Sequence, residues 1–350
     1  MRRLYIIISY SILMLVAFVF AMPAPPTSAD AVDLSTSPLP ISLSAAPGTT
    51  TTTDIRIKNN SQTQTVKVSL MKFSAYGETG KPALKDREPG DDYFDWVSFS
   101  PATFTAPTGQ WQTIKMNIKI PQDGAFGYYY AVVFTPANAK PTGKGNVLLG
   151  STAVLVLLDV QNPHAKRSLQ IVSFNADKRF YEFLPANFSL KLHNNGNVHL
   201  LPHGNIFIKR GSKQVASLIV NTQQGSILPG TNRIYPIPWK DGFPVYTEKQ
   251  QAGRTVVDKD GKPVQQLTWD WSKFSRLKMG HYTAHLTAVY DNGKQDVPVD
   301  ATVSFWVVPW RILGVSIVVL SLAGIGLWTS TLRPIERRLR RRRNDSKKTK

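Results

Sequence analysis

The chain has 350 residues and a formal charge of +19, with 42% hydrophobic and 19% charged residues, 24 Pro and 23 Gly. That balance suits a turn-rich globular protein and excludes both a disordered tail and a polytopic membrane protein. With no cysteine in the sequence, disulfide frameworks, Cys-ligated zinc, iron–sulfur clusters and thiol catalysis are excluded as well.

Arg2 and Arg3 precede an apolar run from Leu4 to Phe20, then Pro23-Ala24-Pro25-Pro26 and small residues through Ala31. Basic, apolar and small-residue regions in that order read as a secretory signal over 1–31, cut after Ala29 or Ala31. An uncleaved signal anchor is the alternative.

From residue 32 to 306 the local pattern is strand. Alternation marks Ile55-Arg56-Ile57-Lys58, Val66-Lys67-Val68-Ser69-Leu70 and Ile114-Lys115-Met116-Asn117-Ile118, as side chains on a strand point to opposite faces in turn. Val147 to Val160 reads as an apolar strand pair or one buried strand. Phe188-Ser189-Leu190-Lys191-Leu192, Ile206-Phe207-Ile208-Lys209 and Val303-Ser304-Phe305-Trp306 continue the pattern, with turn signals such as Pro47-Gly48, Arg210-Gly211 and Asn292-Gly293 between strands. Short strands at this spacing predict β-sandwiches.

An internal repeat sets the domain count. Ile55 to Ser61 (IRIKNNS) matches Leu190 to Gly196 (LKLHNNG), Phe104 to Gly109 matches Ser226 to Gly230, and Gly127-Tyr128-Tyr129-Tyr130-Ala131 matches Gly280-His281-Tyr282-Thr283-Ala284. Three landmarks in one order predict two tandem immunoglobulin-like β-sandwiches, 32–162 and 163–306, with Asn162-Pro163-His164 as the junction. Tyr282, Ala284, Leu286, Ala288 and Tyr290 form the expected core face of a late strand, with a tyrosine corner at its start.

The copies differ in length. Pro107 to Gly127 spans 20 positions and Pro229 to Gly280 spans 51, so the second copy carries an insertion near 241–272. Aromatic loops on a rigid sandwich can form a recognition surface, which makes Tyr76, Tyr93, Phe94, Phe243, Tyr246, Trp269 and Trp271 the candidate partner-binding residues. The competing reading has these rings covering core edges. Trp96 and Trp111 read as core.

Chemistry is harder to find. His193, His199 and His203 lack carboxylate or Cys partners nearby and read as exposed loop residues. His281 and His285 lie ~13 Å apart on a strand, too far for one ion. Asp91, Asp92 and Asp95 in the 88–95 loop could hold calcium, but their spacing fits no EF-hand and a solvated loop is the plainer reading. No nucleophile elbow, phosphate loop or His-Glu-x-x-His motif occurs. The expectation is a protein that is not an enzyme and carries no metal or cofactor.

Ile312 to Leu332 holds 21 residues without a charge, ~31 Å as a helix and enough to cross a bilayer core. The predicted transmembrane helix occupies 307–332, with Trp306 and Trp310 at its outer edge, Trp328 at its inner edge and Arg311 at the outer border. Arg333, Arg337, Arg338 and seven further basic residues follow in 333–350, giving that tail +8. Directly against a span, such a tail reads as a cytoplasmic stop-transfer segment resting on anionic lipid. The exported 32–310 carries only a scattered +9, so nucleic acid is not an expected partner. The chain should sit in the plasma membrane with one span, its N-terminal part outside or facing the wall.

The export signal, two sandwiches, span and basic tail together resemble the bacterial WxL-interacting surface proteins, described by a peptidoglycan-binding domain followed by a host-binding domain. The resemblance is carried by Ala46-Pro47-Gly48 with the Ile55–Ser61 strand, Trp96-Val97-Ser98-Phe99-Ser100-Pro101, Ile118-Lys119-Ile120-Pro121 and Gly127 to Ala131. In the second copy it is carried by His193 to His199, Pro202-His203-Gly204 and Ile227 to Gly230. It implies attachment to a cell-wall polymer or to another surface protein. Trp269-Asp270-Trp271 lacks the Leu of the WxL motif of the presumed partner. The alternative function is a secretion or surface-assembly accessory that lends an edge strand to client proteins.

Overall fold

The computed structural model describes residues 33–137 and 151–329. The expected signal segment and the basic tail, including Arg333, Arg337 and Arg338, lie outside them. The described chain is mostly β, in several sheets that form two immunoglobulin-like units, with one apolar helix at the C-terminal end.

The first unit is built from ten strands: β1 (Leu34–Ser37), β2 (Ile41–Ala45), β3 (Thr50–Asn59), β4 (Gln64–Tyr76), β5 (Lys81–Lys85), β6 (Val97–Ser100), β7 (Thr103–Ala106), β8 (Trp111–Lys119), β9 (Phe126–Pro136) and β10 (Thr152–Val160). One sheet has the order β1-β3-β8-β6, the other β2-β10-β9-β4-β5 with β7 also on β4. Alternation sets which residues meet between the sheets. Ile55 and Ile57 on β3 and Ile114, Met116 and Ile118 on β8 are buried, while Arg56, Lys115 and Lys119 face outward. The apolar run expected from Val147 is one strand in its described part, Thr152–Val160, with Val154, Val156 and Leu158 fully buried.

The second unit has a sheet β11-β13-β16, from β11 (Leu169–Ala176), β13 (Ala186–Asn194) and β16 (Asn232–Trp239). Opposite it lies β12-β22-β21-β14-β15, from β12 (Phe180–Tyr181), β14 (His203–Arg210), β15 (Lys213–Val220), β21 (Gly280–Asp291) and β22 (Asp296–Val307). Trp239, Phe188, Phe305 and Tyr282 form its ring core. Trp239 sits edge-on to Tyr282 at 5.4 Å and to Phe305 at 6.1 Å. The Tyr282/Ala284/Leu286/Ala288/Tyr290 face of β21 is buried as expected. The tyrosine-corner bond runs from the Tyr282 hydroxyl to the Met279 carbonyl (3.4 Å). In the first unit the equivalent hydroxyl is that of Tyr130, donated to the Tyr93 carbonyl (3.1 Å). The sequence match aligns Tyr129 with Tyr282, one position away from the ring that does this work.

The Asn-Asn landmarks have a shared physical cause. Asn59 and Asn194, at the ends of β3 and β13, are 1% and 0% exposed. Asn59 donates both amide hydrogens, to Gln62 and Ala106 carbonyls (2.8 Å each), and accepts from the Ser61 N–H (2.9 Å). Asn194 repeats this with the Val198 and Ile227 carbonyls (2.8 and 2.9 Å) and the Gly196 N–H (2.8 Å). Backbone bonds follow suit: Gly109 N–H reaches the Asn59 carbonyl and Gly230 N–H the Asn194 carbonyl (2.7 and 2.9 Å). A buried amide that satisfies three backbone groups holds the turn and the next strand in place.

The insertion contains two short hairpins, β17 (Val245–Glu248) with β20 (Gln265–Thr268), and β18 (Gln250–Gln251) with β19 (Arg254–Thr255). A 3₁₀ turn over Trp271–Arg276 follows and leads into β21. The irregular region therefore runs to Met279, beyond the expected 272. The helix α1 (Trp310–Leu327) starts two residues after β22. It begins three residues later than the expected 307, and none of it is buried.

Candidate functional site: the aromatic insertion at the root of the helix

The structure brings four of the seven candidate ring residues together and separates the other three. Phe243, Trp269 and Trp271 meet with Phe274, a ring not singled out from sequence. Phe243 is the hub, with centroids 5.7 Å from Trp269, 5.3 Å from Trp271 and 5.7 Å from Phe274. Trp269 stacks on Trp271 at 5.6 Å, and Trp271 on Phe274 at 6.4 Å. Phe183 extends the cluster to Trp269 and Tyr246, 6.3 Å from each.

Burial divides these rings. Phe243 is 3% exposed, which corrects its assignment to a solvent-facing recognition loop. It fills the floor, pinned where Phe243 bridges Leu277, and borders a small space also lined by Phe183, Lys278 and Val307. Trp271, Phe274 and Trp269 stand above it at 67%, 57% and 44% exposure. Asp270 caps the 3₁₀ turn by accepting from the Ser272 N–H and hydroxyl, and Lys273 pairs with it at 2.6 Å. Those bonds hold the Asp270 carboxyl below its usual range. Arg276 to Asp241 (2.5 Å) ties the far end of the turn to the start of the insertion.

This cluster lies at the end of the sandwich from which the helix leaves. Gly280, the first residue of β21 after the turn, pairs with Val307, the last residue of β22. A cleft of about 1090 Å³ lies between the β17–β20 hairpin and the helix root, lined among others by Tyr181, Glu182, Tyr246, Gln265, Trp310 and Arg311. Glu182, 6% exposed, accepts from the Tyr246 hydroxyl (3.4 Å) and faces the Arg311 Nε at 3.3 Å. Arg311, placed at the outer border of the span, thus pairs with a carboxylate of the second unit. Trp306 and Trp310 are 44% and 51% exposed on either side of Val307, and Trp328 is 48% exposed just past the helix.

The remaining candidates sit in or beside the first unit's strands. Phe94 is 7% exposed, packed edge-on to Tyr130 at 5.9 Å, so it is core and not a recognition ring. Tyr93 is half-buried against Tyr128 and Tyr130 (5.2 and 5.3 Å), and burial pushes its hydroxyl up to about 12. Tyr76 is exposed at the end of β4. Trp111, expected in the core, is 46% exposed under the Arg56 guanidinium.

The acidic 88–95 loop is mostly exposed, as the solvated-loop reading expects, but ion pairs tie it to the protein. Asp91 is buried and accepts from Lys72 Nζ (2.8 Å) and the Glu88 N–H (2.9 Å). Burial alone would raise the Asp91 pKa, but Lys72 and the Glu88 N–H outweigh it and hold it below the ordinary value. Asp95 is gripped by both Arg87 guanidinium nitrogens at 2.6 Å. Of the three candidate calcium ligands, Asp91 and Asp95 are engaged by Lys72 and Arg87, and Asp92 is exposed. Among the histidines, His193 bonds Asn232 (2.8 Å) and His203 is exposed. His199 is largely enclosed, so burial lowers its pKa, which corrects its reading as an exposed loop residue. Among the described residues, no three His, Asp or Glu side chains converge as a metal site.

No family model and no curated protein matches the chain. Solved structures similar to the chain include several chaperones. They include a class 5 fimbriae chaperone, CfaA (14% identity, 77% of this chain and 98% of that one, TM-score 0.36). The CupB2 chaperone of Pseudomonas aeruginosa (7%, 78% and 100%, 0.32) and the E. coli chaperone DraB (12%, 77% and 98%, 0.31) are similar at the same level. The two immunoglobulin-like units follow from the sheets themselves, and likeness this distant says nothing of partners.

Proposed function

We propose that the chain is a single-span membrane protein that presents two immunoglobulin-like sandwiches outside the cell, where they bind a cell-wall polymer or another surface protein without catalysis. One observation carries the reading: an 18-residue apolar helix, no part of it buried, continues directly from the last strand of the second unit. A helix apolar on all sides and unpacked by protein finds its solvent in lipid. Holding both sandwiches at one surface raises their effective concentration for anything anchored nearby. The resemblance to WxL-interacting surface proteins supports the same choice of partner.

The test is crosslinking of the full chain in intact cells, followed by carbonate washing of the membranes. The expected result is a wash-resistant protein joined to wall fragments or mature surface proteins. A protein released by carbonate, or one crosslinked to nothing reproducible, would sink the reading.

A second reading is favoured by a separate observation. Among the described residues, strand β15 pairs only with β14, at the end of its sheet, and presents Ile219 at 64% exposure. An open edge of eight residues is a template for strand addition, as the strand-lending accessory requires. In that case the crosslinked partners would be newly exported subunits joined through β15.

A further inference from the structure

The geometry points to a second membrane contact: the exposed rings Trp269, Trp271 and Phe274, with Met279, dock into the interfacial layer of the bilayer that α1 enters. This rests on the proposal that α1 spans a membrane, and it reassigns the insertion from partner recognition to lipid. Three observations lead to it.

The first is position. Gly280 pairs with Val307, so the 3₁₀ turn before Gly280 and the helix root after Val307 leave the same end of the same sheet. Phe243 and Val307 pack against a common small space, and the insertion hairpin and Trp310 border one cleft. If α1 enters lipid at Trp310, the rings sit at the level of the headgroups.

The second is composition. Trp271, Phe274, Trp269 and Met279 are 67%, 57%, 44% and 43% exposed, and Trp306, Trp310 and Phe180 at the same end of the sheet add 44%, 51% and 61%. Phe180 is placed there by pairing with Trp306. Large rings of this kind are costly in water but favoured at the bilayer interface, where an apolar face and a polar edge are both satisfied. The patch lies at the same sheet end from which the exposed, apolar α1 leaves, and that shared end identifies lipid as its occupant.

The third is order. Tilted and edge-on contacts with buried Phe243, the Asp270 cap and the Arg276–Asp241 pair hold the rings in place before any contact, so docking costs little side-chain entropy. Lys273 and Arg276 flank them, each already paired with a carboxylate of the insertion. Docking would fix the tilt of the second sandwich against the membrane, where a bare two-residue link to the helix would leave it free.

The absence of native cysteine makes the test direct. Single Ser275→Cys, Lys294→Cys and Ser321→Cys variants of the full chain carry an environment-sensitive fluorophore in vesicles of phosphatidylcholine and phosphatidylglycerol. Quenching is read with lipids bearing nitroxides at the headgroup or at mid-chain. Lys294 lies in the turn at the opposite end of β21, ~36 Å from Gly280.

The expected result is mid-chain quenching at Ser321 and headgroup quenching at Ser275 at least about threefold above that at Lys294. Trp271→Ser with Phe274→Ser should abolish the Ser275 signal and leave that of Ser321 intact. If Ser321 is quenched while Ser275 behaves like Lys294, the docking inference is overturned, and the rings are left for a protein partner. Retention of the Ser275 signal in the double variant overturns it too. Failure of quenching at Ser321 would overturn the span itself, a distinct outcome.

Discussion

Replacing Asn194 with Ala deletes three hydrogen bonds at a position with no access to solvent. The Val198 and Ile227 carbonyls lose their donor and the Gly196 N–H its acceptor. Each buried backbone group left unpaired costs roughly 1 kcal/mol, so the second unit should lose about 3 kcal/mol. That is ~10²-fold in its opening equilibrium. Hydrogen exchange with mass spectrometry on the full chain resolves this by unit. Amides of β13 and β16 should exchange ~10²-fold faster, with β3 and β8 unchanged. Asn59→Ala should give the mirror result, speeding exchange in β3 and β8 and sparing the second unit. Asn194→Asp should be worse than Ala, because a carboxylate would face two carbonyl oxygens in a buried site. Asn195→Ala, next door but exposed, should change exchange by less than about threefold. An Asn194→Ala effect no larger than that of Asn195→Ala would refute the claim that one amide holds each turn.

Other expectations follow from the same geometry. Asp91 has a folded pKa below its usual value, so its pairing with Lys72 stabilises the first unit fully above pH ~4 and fades as pH falls through the lower folded value. Asp91→Asn should cost about 1.5–3 kcal/mol at pH 7 and much less at pH 2, read by thermal unfolding at both. His199 is held neutral by burial, so the second unit should weaken as pH drops below ~6.5, and His199→Leu should flatten that slope in the same melts. Gly204→Ala should destabilise the second unit sharply. A Cβ there would lie 2.3 Å from the Thr287 carbonyl oxygen and 2.5 Å from the Ala288 Cα, backbone that cannot step aside. Trp239→Ala, emptying the ring core against Tyr282 and Phe305, should cost roughly 3–5 kcal/mol by denaturant titration.

What could be read from sequence was whatever repeats or alternates. The β21 face of Tyr282, Ala284, Leu286, Ala288 and Tyr290 follows from period two alone, and the paired Asn-Asn motifs mark turns that the structure builds alike. The repeat could not show that Asn59 and Asn194 are buried amides, because their bonds go to Ala106 and Ile227, far along the chain. Burial of single rings was equally hidden. Phe94 and Phe243 sit in segments with no strand period, and Trp111 alternates as a core residue would yet faces Arg56 on the outer side. Phe274 was missed because only the 3₁₀ turn places it on Trp271, three positions away. The carboxylates at 88–95 were recognisable as a cluster, but their partner Lys72 comes from β4.

Strand β16 forms one margin of its sheet, where Pro236 and Pro238 pair inward with Ser189 and Asn187 of β13. Ile234, of the same parity, turns its N–H outward to the Glu78 carbonyl at 2.7 Å, so the two prolines stand where the next outward donors would be. Proline has no N–H to offer a neighbouring strand. Many copies confined to one surface meet far more often than the same copies in solution, and any sheet margin able to accept another would turn such meetings into fibres. Along this margin the chemistry of two imino acids denies that growth, which leaves β15, at the end of the other sheet, as the edge on which it could start.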